Sequence, residues 1–334
     1  MNRPAEWTRR ACLTLAVLLL AVACGGDDGD DAAGSDATDG AASGDSAASA
    51  EGVEVNIAVN PWTGSAVDAA LAQYLLSEEM GADVETTDID ENAQWAGLAA
   101  GDLDAVMEVW PSGHGDNIET FIEQEQTVMD AGELGAVGKI GWFVPTYVVE
   151  EHPEIESWEG LADNAELFAS AETGDQGQFL AGDPSFVSFD AEIIENLDLP
   201  FEVVQSGSEA ALLTTLDTAY QNQEPLLMYF YTPHWAHAKY DLTQVELPPY
   251  TDECGEKPKA QRDCGYPEDV LFKAVSTMLE EKSPEVMTFL QNFELTNDQQ
   301  NEMAAMVDDE GMEPDEAAEQ WAQDNSDVWQ AWLP

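Results

Sequence analysis

The sequence predicts an α/β protein of two lobes with a ligand cleft between them, and three features of the pattern support this prediction. Strand-like and helix-like segments alternate over residues 53–109, which is typical of a parallel sheet with helical crossovers. A second alternating block extends from about residue 158 to residue 231. The tail from about residue 270 to residue 333 has a predominantly helical pattern. Two such blocks favour two lobes, whose ligands bind beyond the carboxyl ends of the strands.

Local patterns predict the elements of both blocks. Alternating β-rich residues indicate strands, and apolar residues at helical spacing, such as Val67, Leu71 and Leu75, indicate a helix that ends near Gly81. The first block contains a strand at residues 53–59, that helix, a strand at 84–87, a helix that includes Trp95 and ends at Gly101, and a strand at 104–109. A strand-like run at 140–149 follows, and then a helix at about 158–168, a glycine-rich loop at 174–188, a helix at 189–197, a strand at 201–205, a helix at 208–222 and a strand at 226–231.

The balance of charge excludes two classes of partner. The chain has 334 residues, of which 68 are Asp or Glu and 10 are Lys or Arg, so its formal net charge is −58. Nucleic-acid binding needs clustered basic side chains, and so does electrostatic docking on an anionic membrane surface. A hydrophobic fraction of 44% with 10 Trp is too high for a wholly disordered acidic chain. We therefore expect a folded protein whose acidity is an adaptation to concentrated salt.

The N-terminus predicts export and a lipid anchor. Residues 1–23 place arginines before an apolar run that is shorter than the about 20 residues of a membrane-spanning helix, as in a secretory signal peptide. The run ends in Leu-Ala-Val-Ala-Cys, which resembles a bacterial lipobox, so we expect lipidation of Cys24; a plain signal peptide with an incidental cysteine is the alternative. Residues 24–52, rich in Gly, Asp, Ala and Ser, are expected to form a disordered linker. The predicted location is extracytoplasmic, on the outer face of the cell membrane or in a periplasm.

Two cysteines remain for the folded part, Cys254 and Cys264. In an exported protein such a pair most simply forms one disulfide. A metal pair is the weaker alternative, because no second cysteine pair lies nearby to complete a structural zinc site. We therefore expect a disulfide, no metal and no cofactor.

Large aromatic residues follow several of the predicted strands, next to Pro and Gly. At such loop positions they are poor core fillers, and their faces could form a cage for a cation that has no N–H to donate, at about 0.5–2 kcal/mol per contact. Packing alone is the alternative for each of them. The candidates are Trp62, Trp110, Trp142, Phe186 and Tyr231.

Four segments together resemble the substrate-binding proteins of glycine betaine, proline betaine and choline ABC transporters. They are residues 101–111, 138–147, 208–211 and 231–242, and their order is that of the family. The resemblance covers nearly all of residues 53–334. It implies the two-lobed periplasmic-binding-protein fold of type II, with residues 53–149 and 268–334 in lobe 1 and residues 150–267 in lobe 2. It also implies an ABC permease as partner and a small quaternary ammonium compound as ligand.

The resemblance also assigns roles to residues. Trp110 matches a cage tryptophan found across the family, and Tyr231 and Phe186 stand where other members have cage tryptophans. Trp62 and Trp142 match aromatic cage positions of the choline-binding branch. In a betaine-binding branch, a histidine at the position of His114 donates to the ligand carboxylate. His234 and the backbone N–H of Val187, which follows Phe186, are further candidate donors in this chain, and a hinge or core role is the alternative for His234.

These assignments favour glycine betaine as the ligand, since the choline branch carries an Asp where this chain has Gly64. A choline- or carnitine-specific protein of the same family is the alternative. Catalytic motifs such as a nucleophile elbow, a Walker loop or a zincin helix do not occur in the sequence. We therefore expect a binding protein and not an enzyme, with an extracellular hydrolase as the weaker alternative and a sensor without a transporter as a third.

Overall fold

The computed structural model describes residues 49–334, in which nine strands form one mixed sheet. The strands are β1 (Glu54–Val59), β2 (Asp83–Asp88), β3 (Ala105–Val109), β4 (Val128–Pro145), β5 (Gly177–Ala181), β6 (Phe201–Gln205), β7 (Met228–Thr232), β8 (Leu242–Gln244) and β9 (Asp269–Ser276). Their order is β2-β1-β3-β9-β4-β7-β5-β6, and β8 pairs with β4. The predicted signal peptide, Cys24 and most of the predicted linker lie outside the described residues.

Helices cover both halves of this sheet. They are α1 (Thr63–Glu78), α2 (Gln94–Ala100), α3 (Gly115–Asn117), α4 (Thr146–Glu151), α5 (Trp158–Asp163), α6 (Asp190–Asn196), α7 (Glu209–Asn222), α8 (Ala236–Lys239), α9 (Asp252–Gly255), α10 (Leu279–Lys282), α11 (Pro284–Asn292), α12 (Asn297–Asp308), α13 (Pro314–Asp324) and α14 (Ser326–Trp329). A π-helical segment, Ile118–Gln124, follows α3. Over residues 49–334, none of these helices has the length and apolar character needed to cross a membrane. The predicted α/β class is confirmed.

The long strand β4 divides the sheet into two lobes. From Val128 to Gly138 it pairs antiparallel with β9, and from Lys139 to Phe143 it pairs antiparallel with β7. We call the sheet β2-β1-β3-β9, with the first part of β4, lobe 1, and the sheet β7-β5-β6, with β8 and the rest of β4, lobe 2. By strand pairing the change of lobe therefore falls at residues 138/139, before the boundary predicted at 149/150. The predicted division into lobes stays a prediction.

Buried apolar faces explain why the predicted elements form. In α1, Val67, Leu71 and Leu75 are fully buried, and each such side chain contributes about 1.5–3 kcal/mol relative to an exposed one. Every residue of β3 is buried, as in a parallel strand covered on both faces. Helix α2 ends at Gly101 with a φ of 76°, a left-handed conformation that glycine adopts without steric cost.

The structure departs from the predicted elements in three places. Residues 146–149, predicted as part of a strand, begin helix α4, because β4 ends at Pro145 in its pairing with β8. Strand β9 lies in the tail predicted to be mainly helical; its Lys273 is buried and donates to two backbone carbonyl oxygens, of Glu133 and Phe293. Ala50, within the predicted linker, is buried and its N–H donates to the carbonyl oxygen of Met80 at 2.8 Å.

The disulfide predicted between Cys254 and Cys264 is present, and both residues are buried. It closes a short loop of lobe 2. A covalent loop of this kind lowers the conformational entropy of the unfolded chain. The disulfide therefore links the two ends of this segment covalently.

Candidate functional site

A cavity lies between the two lobes, at the carboxyl ends of parallel strands of both. The centre of a water molecule can occupy about 30 Å³ of it, which is room for about two waters. Loops after β1, β2 and β3 provide the lobe 1 wall, and strand β7 and the loop after β5 provide the lobe 2 wall. The lining residues are Trp62, Glu91, Trp110, Gly113, Ile140, Phe186, Val187, Tyr229 and Tyr231.

Aromatic rings from the two lobes meet edge to face around this cavity. Trp62 and Phe186 have ring centroids 5.7 Å apart at an interplanar angle of 80°, and Trp110 and Tyr231 have centroids 5.6 Å apart at 84°. Each pair has one member in each lobe. Tyr229 extends the wall, with its ring centroid 5.9 Å from that of Phe186. The faces of such rings are electron-rich and attract cations.

One buried carboxylate holds both cage tryptophans. Oε1 of Glu108 accepts hydrogen bonds from the indole N–H of Trp62 at 2.9 Å and of Trp110 at 2.7 Å. Because both indole N–H groups point at Glu108, both rings turn their apolar parts to the cavity. Burial raises the pKa of Glu108 to about 7, against the opposing effect of these bonds and of one from Gln300.

A second buried acid lies beside Glu108. The side-chain N–H groups of Gln300, on α12, donate to Oδ2 of Asp68 at 2.9 Å and to Oε2 of Glu108 at 2.7 Å. Burial, and then the charge of Glu108, raise the pKa of Asp68 well above its usual range. Glu108, which is bonded to both tryptophans, and Asp68 therefore form a pair of neighbouring carboxyl groups. Two negative charges on this pair are unfavourable.

Glu91 brings a carboxylate to the cavity itself. The backbone N–H of Val187, in lobe 2, donates to its Oε1. Its Oε2 lies 2.8 Å from Nε2 of His114. The indole N–H of Trp95 donates to Nδ1 of His114 at 3.3 Å, so the imidazole proton is on Nε2 and points to Glu91. Glu91 thus accepts from two donors that the sequence predicted for a ligand carboxylate.

The predicted site residues fall into two groups. Trp62, Trp110, Phe186, Val187 and Tyr231 line the cavity. The other three, Trp142, His114 and His234, are buried behind its lining.

Each of those three is held by protein groups. Trp142 packs on Phe179 with ring centroids 4.8 Å apart, and its N–H donates to Asp190 at 2.7 Å. His234 accepts the N–H of Ala236 at Nδ1 and packs on the ring of Tyr231. Their predicted ligand contacts, like that of His114, stay predictions.

Sequence reasoning missed Glu91 and Tyr229. Tyr229 lies two residues before Tyr231 on β7, so strand alternation places both side chains on one face, and this signal could have identified it. Glu91 is one of 68 acidic residues and follows the short strand β2. Its position after a parallel strand was the available signal.

The two-lobed α/β fold and the aromatic cavity between the lobes define a binding protein for a small solute. A family model described as the substrate-binding domain of ABC-type glycine betaine transport systems matches residues 53–324, and the chain belongs to this family. The predicted family and fold type are confirmed. Because the family consists of transporter solute-binding proteins, the protein is not an enzyme.

Individual relatives differ in the ligand that they are named for. The chain is 26% identical over 259 residues, 75% of this chain and 82% of the relative, to the trimethylamine N-oxide-binding protein of Pelagibacter ubique. Two solved structures share the fold. Lactococcal OpuAC, closed on glycine betaine, has a TM-score of 0.67 and 20% identity and covers 84% of this chain and 99% of its own. A choline-binding protein in complex with choline has a TM-score of 0.69 and 19% identity and covers 84% and 91%.

Proposed function

We propose that this protein captures a small trimethylammonium compound outside the cytoplasmic membrane and delivers it to an ABC permease. The observation that carries the proposal is the cavity walled by aromatic rings of both lobes, with Trp62 and Trp110 oriented by one carboxylate. A methylated ammonium head has no N–H to donate, so ring faces are the groups that can attract it, at about 0.5–2 kcal/mol each. Closing both lobes on the head would remove it from water and strengthen this attraction.

Glu91 favours a ligand with a positive charge and no carboxylate of its own. A betaine carboxylate in this cavity would meet the Glu91 carboxylate, and two like charges a few ångströms apart repel each other. Its two expected donors, His114 and the N–H of Val187, are already bonded to Glu91. The hydroxyl of choline could instead donate to Glu91. The name of the Pelagibacter relative supports a ligand with a methylated nitrogen and no carboxylate.

Glycine betaine, the ligand that the sequence favours, is the second candidate. The family description supports it. In this case the ligand carboxylate would displace Glu91 and take over the bonds from His114 and Val187. The two candidates differ in what removal of the Glu91 charge does.

Calorimetric titration of the purified protein at pH 7 with choline, trimethylamine N-oxide, glycine betaine and carnitine distinguishes them. We expect choline to bind at least tenfold more tightly than glycine betaine. Glu91→Gln should then weaken choline binding about tenfold and bring glycine betaine closer to it, because the amide keeps the shape without the charge. Glu85→Gln, an exposed position on β2, is the matched control and should change neither.

The other possible outcomes of this titration lead to different conclusions. Tighter binding of glycine betaine than of choline would contradict the role given to Glu91 and support the second candidate. Dissociation constants above the millimolar range for all four ligands would refute capture of a trimethylammonium compound.

The lipid anchor at Cys24 is part of the same proposal. It rests on the lipobox-like residues 20–24 and on the acidic stretch that follows them. An acylated cysteine with a tether would keep the receptor near its permease. Cys24→Ala should move the protein from the membrane fraction to the soluble fraction of expressing cells, and an unchanged distribution would contradict anchoring through Cys24.

A further inference from the structure

Glu209 connects the two lobes beside the cavity. It is the first residue of α7, in lobe 2, and it is buried. Its Oε2 accepts the backbone N–H of Thr63 at 2.7 Å and lies 3.1 Å from the Thr63 hydroxyl, and Thr63 belongs to lobe 1. Its Oε1 accepts the hydroxyl of Tyr231, a wall residue of the cavity. One carboxylate therefore contacts both a ligand-facing ring and the opposite lobe.

The partner of Glu209 in lobe 1 is the N-terminus of helix α1. The residue before this helix, Trp62, makes no side-chain capping bond, and the first turn contains no acidic residue. The first backbone N–H groups of a helix have no partner within it, and the N-terminal end carries a partial positive charge. The helix thus lacks a cap from its own sequence neighbours. Glu209 supplies one from the other lobe.

The hydrogen-bond set around Glu209 keeps it anionic. Burial alone would raise its pKa, but the neighbouring imidazole of His234 and the bonds from Tyr231 and Thr63 outweigh burial, and the pKa of Glu209 lies below its usual value. The position at the start of α7 adds the partial positive charge of a second helix end. The carboxylate is therefore suited to a charge-assisted bond with the Thr63 N–H.

We propose that Glu209 is a positioning residue that couples the aromatic wall to lobe closure, because it caps α1 across the cleft while it holds the Tyr231 hydroxyl. When the lobes separate, the N–H of Thr63 loses this acceptor. A ligand that fixes the Tyr231 ring also fixes Glu209 in the place where the cap can form. The affinity readout of this inference rests on the proposed function, whereas closure can be measured without ligand.

The same cluster is not well suited to a metal ion. Atoms of Glu209, His234 and Asp308 lie within 4.8 Å of one another, a spacing that metal ligands can have. However, Nδ1 of His234 accepts the N–H of Ala236 at 3.1 Å, which leaves the imidazole proton on Nε2. Nε2 lies 3.6 Å from Oε1 of Glu209. Because Nε2 carries the proton, it has no lone pair to offer a metal ion.

Two substitutions test the cap from its two sides. Glu209→Gln removes the charge of the acceptor. Thr63→Pro removes the N–H donor at the first position of a helix, where proline is favourable, and the preceding Trp62 is already extended, with φ −142° and ψ 154°. Thr63→Val keeps the N–H and removes only the hydroxyl. Glu202→Gln, an exposed position of lobe 2, is the control.

The first measurement is ligand-free hydrogen exchange followed by mass spectrometry, with circular dichroism to verify folding. We expect Glu209→Gln to accelerate exchange at least about tenfold in peptides that contain the first turn of α1, in the opposite lobe, and to leave the interior of α7 unchanged. A role confined to the stability of lobe 2 would have the reverse pattern. Small-angle scattering should give a larger radius of gyration for Glu209→Gln and Thr63→Pro than for Glu202→Gln.

The second measurement is calorimetric titration with choline and with glycine betaine. For whichever probe the unsubstituted protein binds, Glu209→Gln and Thr63→Pro should each lower the affinity about tenfold. The double variant should have an affinity no lower than that of either single variant, because both substitutions remove the same interaction. Thr63→Val should lower the affinity by less than tenfold. Unchanged exchange in α1, or losses that add in the double variant, would overturn the cap. Failure of the unsubstituted protein to bind either probe would count against the proposed function, and the exchange result would still decide this inference.

Discussion

The hydrogen bonds that Glu108 accepts and its burial have opposite effects on its charge. Its Oε1 accepts both cage indoles, a task that suits a carboxylate, yet the residue is buried next to a second acid, Asp68, on α1. Burial without a cation favours the protonated form. The orientation of Trp62 and Trp110 is therefore gained at a cost in stability that depends on pH.

The raised pKa of Glu108 predicts how the stability of the protein depends on pH. Since the pKa of Glu108 rises from 4.5 to about 7 on folding, the folded state holds more protons than the unfolded state between these values. The contribution of this group to stability is fully present below about pH 4.5 and is lost as the pH rises through 7, by on the order of 3 kcal/mol. Thermal unfolding at pH 5 and pH 8 should show a larger fall in Tm for the natural chain than for Glu108→Gln.

A matched control separates this effect from the general acidity of the chain. Glu123→Gln removes an exposed acid and should keep the natural difference in Tm between the two pH values. Asp190, whose pKa burial raises to about 6, acts in the same direction in all three proteins and cancels in the comparison. Equal differences for Glu108→Gln and the natural chain would contradict the assignment to Glu108.

At the residue scale, sequence could identify the aromatic half of the site but not its charged half. Trp62 and Trp110 stand out because large rings beside proline after a strand have few other roles. Glu91 and Glu108 do not stand out among 68 acids, since their roles depend on partners distant in sequence. Val187, the partner of Glu91, is 96 residues away, and its N–H reaches Glu91 only in the folded, closed arrangement.

At the element scale, short-range patterns predicted the parallel strands and their helices but not the connection between lobes. Strand β4 contains Gly132 and Gly135 with positive φ, where its pairing with β9 shifts register, so its first half lacks the alternation that indicates a strand. Long-range pairing supplies what local propensity does not.

Gly138, where strand β4 passes from lobe 1 to lobe 2, is required by a close contact with Trp110. A Cβ at Gly138 would lie 2.3 Å from Cζ3 of Trp110. The strand backbone therefore approaches the cage ring more closely than any side chain would allow. The element that joins the lobes also supports a ring that lines the cavity, and this contact is visible only in the folded chain.

The whole molecule carries far more negative than positive charge, and four of the seven basic residues in the described part of the chain form ion pairs. Lys239 lies 2.5 Å from Asp309, Lys257 lies 2.6 Å from Asp263, and Lys282 lies 2.8 Å from Asp104. Such partly exposed pairs contribute about 0–1 kcal/mol each. Against a net charge of −58, they leave a large self-repulsion that favours expanded states.

Salt should therefore stabilise this protein over a wide range of concentration. The Debye length falls from about 30 Å at 0.01 M to about 3 Å at 1 M, so NaCl screens repulsion among distant carboxylates far more than it weakens bonded pairs. We expect Tm to rise by several degrees between 0.01 and 1 M NaCl, and equally in KCl, while choline or betaine binding in the cavity between the lobes changes little. Chloride salts are preferred to sulfate, which stabilises most proteins by exclusion from their surface. A fall in Tm over this range would contradict the interpretation of the acidity as an adaptation to concentrated salt, because local ion pairs would then outweigh the net charge.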